Sequence, residues 1–412
     1  VNYITQEKGL MKIKKCKNCN SSGLSKLFSL GNLNFTGKFP KSKSTNVNKA
    51  HLGLVMCKKC SLVQLSRSFN LKYLYGPDYG YKTGINKTMR DHMNNICCTL
   101  SSKSKLNSGD YVLDIASNDA TLLNFYSKNI IKVGVDPLVN KYIKFYKNIN
   151  YKISDFFSAN KILEKKINEK FKIITALSVF YDAEDPNKFL SDVEKILRDD
   201  GIFMLEHADL LSIIKLKMFD TICHEHLYYY STKVIIDMTE NNNLRVFDLK
   251  RNSINGGSVQ YLICKKNSKY KTNYKVIKKI LNEEKKLKLN REKTYFDFVK
   301  DINNIKLKLR KLLSSLISNK KVIHGYGAST KGNVLLLYFG INQKHVKYIA
   351  DRNPKKFNHY TPGTKIKIIS EKKSRKLSPD YYLVLPWHFK KEILKREIKI
   401  RKKGCKFIFP LP

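Results

Sequence analysis

Short apolar runs that end in an acid and pass through a tight turn into a helical stretch occur in two separate parts of this chain. No other feature constrains its fold as much. From Tyr111 the runs YVLDIA, IIKVGVDP, FKIITALSVF and GIFMLEH follow one another, spaced by helical segments such as NKFLSDVEKILRDD. This alternation predicts a mostly parallel sheet with crossover helices. Ligands of such sheets bind beyond the carboxyl ends of the strands, where Asp114, Asp136 and Asp182 fall. Near the C-terminus KVIHGYGASTKGNVLLLY opens a second unit, continued by VKYIADRNP and DYYLVLPWHF. Gly325 and Gly327 lie in its first turn, Gly332 in the opening helix and Asp351 at the end of the next strand. Glycines so placed admit a phosphate to a helix N-terminus, and such an acid takes ribose hydroxyls. A second wound unit with a sterically tight turn and no ligand would read the same way.

A chain of 412 residues is too long for one core, so two or three domains are expected. The cysteines mark one of them. Cys16 and Cys19 (CKNC) and Cys57 and Cys60 (CKKC) form matched pairs, while Cys97, Cys98, Cys223, Cys264 and Cys405 are scattered. Two CxxC turns present four thiolates to one tetrahedral Zn(2+), a closed structural site; a redox dithiol would need only one pair. An aromatic loop with Tyr73, Tyr75, Tyr79 and Tyr81 follows and leads into a helix. Residues 265–320 are Lys-rich, with helical periodicity and neither proline nor glycine, and predict a long helix or helix pair between units.

The balance of 79 Lys+Arg against 34 Asp+Glu gives a formal net charge of +45, which attracts polyanions. The lysines are spread along nearly the whole chain, and Asn, Ile and Tyr are also abundant. Compositional drift explains this better than a dedicated nucleic-acid face, so no specific nucleic-acid partner is expected. No apolar run approaches the length of a membrane span and the N-terminus carries no apolar signal core, so no membrane partner and a cytoplasmic location are expected.

The most unusual cluster is FDTICHEHLYYY, with His224, Glu225 and His226 side by side. In extended backbone the two histidines would share one face and Glu225 the other. Its spacing is not that of the HExxH zinc proteases. An imidazole oriented by a carboxylate suits proton abstraction, although an isolated surface His pair is more often inert. NSINGGSVQYL adds Gly256 and Gly257, which would let backbone approach a ligand or simply form a turn.

Taken in order, the paired CxxC, LDIASNDATLL, DTICHEH, NGGS and GYGASTKGNVLL…DRNPKKFNHYTPGTKI…LVLPWHFKKEI cover nearly the whole chain. In these motifs the sequence resembles the three-domain C-methyltransferases of deoxysugar biosynthesis, which use S-adenosyl-L-methionine (SAM) to methylate C3 of a nucleotide-linked 4-keto-hexose. The resemblance implies an α/β protein with a zinc-binding domain (11–75), a Rossmann-like class I methyltransferase domain (76–265), a helical linker (266–320) and a C-terminal Rossmann-like domain (321–412). It implies His226 as the base that forms a substrate enolate. Glu225 would be its orienting partner or a ligand of a sugar hydroxyl, with His224 beside them and Tyr79 or Tyr81 at the enolate. Asp114, Ser117, Asn118, Asp136 and Asp155 would hold SAM. Gly256, Gly257, Gly325, Gly327, Lys331 and Asn333 would hold the nucleotide sugar, the last four near its diphosphate. The family's LDIGSNDGTLL, DTIYHEH and NVLAH differ here at Ala116, Ala120, Cys223 and Asp182. The competing readings are a nucleic-acid methyltransferase, from the charge and zinc module, and a degenerate non-catalytic nucleotide-sugar binder, from these departures.

The alanines pose a conformational question. With negative φ, Ala116 and Ala120 would only crowd the cofactor turn modestly. Left-handed backbone would cost about 1–2 kcal/mol at each.

Overall fold

The apolar runs from Tyr111 onward form a seven-stranded sheet in a computed structural model that describes residues 11–69, 74–75 and 80–411. The strands run in the order Leu244–Asn252, Ser258–Lys265, Leu197–Ala208, Phe171–Leu177, Tyr111–Ile115, Ile131–Val135, Tyr151–Ile153. All neighbours are parallel except Ser258–Lys265, which enters antiparallel between Leu197–Ala208 and Leu244–Asn252. The winding direction reverses between Tyr111–Ile115 and Phe171–Leu177, which is where such a sheet opens a ligand crevice. Helix Lys87–Ser104 buries Met89, Met93, Ile96 and Leu100 in a cluster on one face of the sheet. Helices Pro186–Ile196 and Thr232–Asn241 bury Phe189, Val193, Val234 and Met238 in the main core.

The C-terminal unit is a five-stranded, fully parallel sheet in the order Ile368–Ser370, Ile349–Asp351, Ile323–Tyr326, Tyr381–Val384, Lys406–Ile408. It repeats the central sheet's reversal, here between Ile323–Tyr326 and Tyr381–Val384. Helices Tyr274–Leu287 and Glu292–Ser318 precede it, and Phe298 of the second packs its ring 5.7 Å from Phe28 of the N-terminal sheet.

That N-terminal sheet joins Leu24–Asn34, Lys49–Cys57 and Val63–Leu65 in an antiparallel meander. Its fourth strand, Tyr228–Tyr229, comes from the segment that follows the HEH triplet. A two-residue strand far away in sequence leaves no periodic signal. The four cysteines sit at the end of this sheet. Asn20 and Ser61, each just after a second cysteine, are left-handed at φ 56° and 61°. Their N–H groups donate to the carbonyls of Cys16 and Cys57, giving two matching turns. All four sulfurs lie within 4.8 Å of one another, with Cys16–Cys60 at 3.5 Å and Cys19–Cys57 at 3.6 Å. Tetrahedral zinc at about 2.3 Å from each thiolate needs sulfurs about 3.8 Å apart, so the cluster fits the metal.

The turn after Tyr111–Ile115 settles the alanine question against negative φ. Ala116, Asn118 and Ala120 stand at φ 59°, 49° and 55°. The chain therefore carries the left-handed strain at both alanines.

Two outcomes follow. Metal analysis of the purified chain should find about one zinc per molecule, and Cys57→Ser should lower both that ratio and the melting temperature. Ala116→Gly should raise stability to urea by about 0.5–1 kcal/mol, since relief of about 1–2 kcal/mol exceeds the extra unfolded-state entropy. Ala120→Gly should be nearly neutral, because it also removes a buried methyl contributing about 0.8 kcal/mol.

Candidate active site

Both wound sheets point their reversal points into one cavity of about 790 Å³. Each sheet builds its turn with the same device. In the central sheet Asp136, just past the second strand, accepts from the N–H of Asn118 at 2.9 Å and of Leu138 at 2.7 Å. In the C-terminal sheet Asp351 accepts from the N–H of Ala328 and of Asn353, both at 2.7 Å. An acid in this position ties the first turn to the second, and each carboxylate oxygen keeps a lone pair for a ligand hydroxyl.

On the central side Ala116, Asn118, Asp136 and Asp155 line the cavity, with Leu138 and Phe156 as apolar wall. Asn118 is fixed by its Oδ1, which accepts from the N–H of Thr83 at 3.0 Å. These residues fit a nucleoside such as that of SAM: hydroxyl acceptors at Asp136 beside an apolar slot. Asp114 and Ser117 do not line the cavity. Asp114 is buried beneath the turn and accepts from Thr175 Oγ1 at 2.6 Å, and burial pushes its carboxyl up to about 7. Ser117 Oγ pairs with Tyr146 OH at 2.8 Å. Both support the turn from below.

The HEH triplet is not extended. The N–H of His226 turns back to Cys223 O at 3.3 Å, so Glu225 and His226 face the cavity together while His224 points away. His224 is fully buried, edge-on to Phe35 and Phe69 at 4.9 Å, with Nε2 3.2 Å from Ala50 O. Burial drives its imidazole down to about 4. It therefore anchors the triplet to the N-terminal sheet and contributes no group to the cavity.

His226 Nδ1 is 2.7 Å from Thr221 O. A carbonyl only accepts, so Nδ1 carries the hydrogen and Nε2 keeps the lone pair. Burial, reinforced by the charge of Lys331, lowers this imidazole to about 3, so it is neutral throughout the physiological range. The Tyr181 ring lies 4.2 Å from it. Burial raises the Glu225 carboxyl, which the Gly37 N–H opposes by hydrogen bonding. A Cβ on Gly37 would stand 2.8 Å from Glu225 Oε1, so a larger residue there would push the carboxylate aside.

Tyr81 lines the cavity, and its carbonyl accepts from Tyr142 OH at 2.8 Å. Tyr79 lies outside the described residues. Tyr75 OH donates to Asp182 Oδ2 at 2.6 Å, and both residues line the cavity. Burial holds Asp182 well above the usual carboxylate range, with Glu225 adding to the rise. Asp182 Oδ1 and Glu225 Oε2 are buried without a hydrogen-bond partner. Cys223 lies beneath this group, fully buried, its thiol raised first by burial and then by Glu225.

Among the expected sugar-nucleotide residues only Gly327 and Lys331 line the cavity. Gly327, at φ +83°, lies against Pro386, whose Cγ would be 2.6 Å from an added Cβ. Gly325 packs under Ile349, and Asn333 is buried, donating from Nδ2 to Thr36 O at 2.7 Å. Gly256, at φ +98°, makes room for the Trp387 ring, and Gly257, at φ +151°, backs onto Ser212. Their neighbour Asn255 reaches the cavity instead. The cysteine cluster lies apart from the cavity and contributes no lining residue among the described ones.

Sequence reasoning missed His388, which lines the cavity with a buried, unpartnered Nδ1. Burial, then Lys331, holds it well below its usual range. Its position after DYYLVL, at the carboxyl end of a strand beside the reversal, was the available signal.

Residues 89–249 match the family model of a methyltransferase domain, and residues 253–412 match that of a C-methyltransferase C-terminal domain. C-methyltransferase NovU of Streptomyces niveus is 27% identical over 363 residues, covering 88% of this chain and 86% of that protein. Similarity to solved structures is partial. PH0226 of Pyrococcus horikoshii (14% identity, TM-score 0.36) matches 48% of this chain and all of its own. A SAM-dependent methyltransferase from Clostridium acetobutylicum (13% identity, TM-score 0.33) matches 42% of this chain and 91% of its own. Two family models in sequence order and a C-methyltransferase similar over most of both lengths give the assignment: the chain is a SAM-dependent C-methyltransferase.

Proposed function

We propose that the enzyme methylates carbon next to the ketone of a nucleotide-linked 4-keto-hexose, with His226 Nε2 as the base. The observation that supports this most is the single cavity lined from both reversal points, with Glu225 and His226 between them. One crevice suits SAM and the other a nucleotide, so a sugar attached to that nucleotide would lie across the base. In this reading residues 76–265 carry SAM, 321–412 the nucleotide, 11–75 fold around zinc and 266–320 join them.

SAM supplies a sulfonium methyl. The chain's residues do the rest. A proton next to a ketone is acidic enough for a neutral imidazole to remove when the resulting enolate is stabilised. The Thr221 carbonyl holds His226 in the tautomer with a free Nε2. Asp182 Oδ1 and Glu225 Oε2, buried and unpartnered, are available to sugar hydroxyls. Leaving each bare costs about 1–3 kcal/mol, which a correctly placed hydroxyl recovers. Tyr75 orients Asp182 in this role.

Incubation with SAM and a panel of nucleoside-diphosphate 4-keto-6-deoxyhexoses should give a product heavier by one methyl, read by mass spectrometry. His226→Asn should lower turnover by at least about 100-fold while S-adenosylhomocysteine affinity stays within about threefold. A variant with near-normal turnover removes His226 from the role of base. Because His226 is neutral above about pH 3, its protonation should produce no acid limb near 6.5 in kcat/KM. A limb there that disappears in His226→Asn would contradict the buried, neutral base.

A further inference from the structure

Lys331 was expected beside a diphosphate, yet its surroundings are those of the base. It occupies the first turn of helix Thr330–Phe339 and its Nζ donates to Asn255 O at 2.9 Å. Asn255, left-handed at φ 54°, belongs to the turn whose Gly256 packs on Trp387. The Trp387 indole N–H donates to buried Asp220 at 2.9 Å, and His388 is the next residue. These contacts hold the ammonium between the segment bearing His226 and the segment bearing His388. Its charge lowers both imidazoles.

An ammonium has three N–H donors, and one is used by Asn255. Among the described residues no carboxylate oxygen comes within 4.0 Å of Nζ. Buried Asp220, beyond that distance, offsets the charge in part, while burial works against it. A desolvated cation with no directly bonded anion is costly unless a ligand supplies one. The C-terminal turn has cations of its own for a diphosphate. Lys356 Nζ donates to Ala328 O at 2.6 Å within the turn, and Arg352 stands next to Asp351 on the cavity wall. The nucleotide's phosphates therefore do not need Lys331.

We propose that Lys331 is a catalytic residue whose ammonium binds the substrate's carbonyl oxygen as it becomes an enolate opposite His226; this rests on the ketone chemistry proposed above. The C–H bond next to the ketone breaks, its proton passes to His226 Nε2, and the electron pair moves to the oxygen facing Lys331. The enolate carbon then takes the methyl group as the S–CH3 bond breaks, its electrons remaining on sulfur. Once the enolate is consumed, the ammonium and the new imidazolium repel, which drives the proton from His226 to solvent and resets the base. Before turnover burial, reinforced by the same repulsion, keeps His226 unprotonated. A positive charge next to the base is thus compatible with catalysis, because the enolate adds the directly bonded counter-charge that the more distant Asp220 does not supply.

The test compares Lys331→Met with wild type in three readouts. These are S-adenosylhomocysteine affinity, affinity for uridine, thymidine and guanosine diphosphates, and exchange in D2O of the hydrogen next to the ketone of a nucleoside-diphosphate 4-keto-6-deoxyhexose without SAM. The expected result is both affinities within about threefold and exchange slower by about 100-fold or more. Exchange within about tenfold of wild type, or diphosphate affinity falling in step with exchange, overturns the assignment. If Lys331→Met does not bind S-adenosylhomocysteine, Lys331→Gln is judged by the same criteria. Wild type that neither exchanges nor methylates any such ketone refutes the proposed substrate class, whereas exchange lost only in the variants supports Lys331.

Discussion

Residues 219–227 are bonded to segments of the N-terminal, central and C-terminal units, and the geometry of the site depends on that. The N-terminal sheet holds the segment through Ala50 O on His224, the Leu65 N–H on Leu227 O, and Gly37 against Glu225. The central unit holds it through Tyr181 O, which accepts from the Leu227 N–H at 2.8 Å. The C-terminal unit holds it through Trp387 on Asp220. Each buried bond contributes about 1 kcal/mol net, but losing one partner costs more, so the loop has little freedom to shift alone. A base must be held to within a fraction of an ångström of its proton, and this loop is braced from three directions.

The bracing gives the zinc module a part in the site. Zinc held by the four cysteines would close one end of the N-terminal sheet, while the loop after Leu24–Asn34 brings Gly37 and Phe39 to the cavity wall. Asn333 in the C-terminal unit grips the same loop at Thr36 O. A structural metal remote from the cavity would thereby help to position Glu225 beside His226, the proposed base.

Where local pattern and fold coincide, the sequence was legible. Apolar runs ending in Asp114, Asp136 and Asp351 located both sheets and both turns, because strand period and turn chemistry are local. The cysteine cluster was legible for the same reason: two CxxC turns have one common geometry. The triplet was harder. Adjacent residues point wherever the backbone turns, and a turn at Cys223 sent His224 into the N-terminal core and left Glu225 and His226 in the cavity. Gly256, Gly257 and Gly325 looked like ligand contacts, yet Trp387, Ser212 and Ile349 fill the space that a Cβ would need. His388 and the Tyr75–Asp182 pair depend on contacts between distant segments, which no spacing encodes. The turn at Ala116 and Ala120 is left-handed despite its two methyls, so the surrounding hydrogen bonds, including Asp136 on the Asn118 N–H, outweigh local preference.

The central claim is that one cavity holds SAM and a sugar nucleotide on opposite walls, with His226 facing the carbon that is methylated. A crystal structure with S-adenosylhomocysteine and a nucleoside-diphosphate 4-keto-hexose tests this most directly. The account predicts the ribose of the cofactor product at Asp136, the nucleotide against the turn at Gly327, and the sugar ring between the sulfur and His226 Nε2. A nucleotide bound outside this cavity, or a sugar ring turned away from His226, would contradict it.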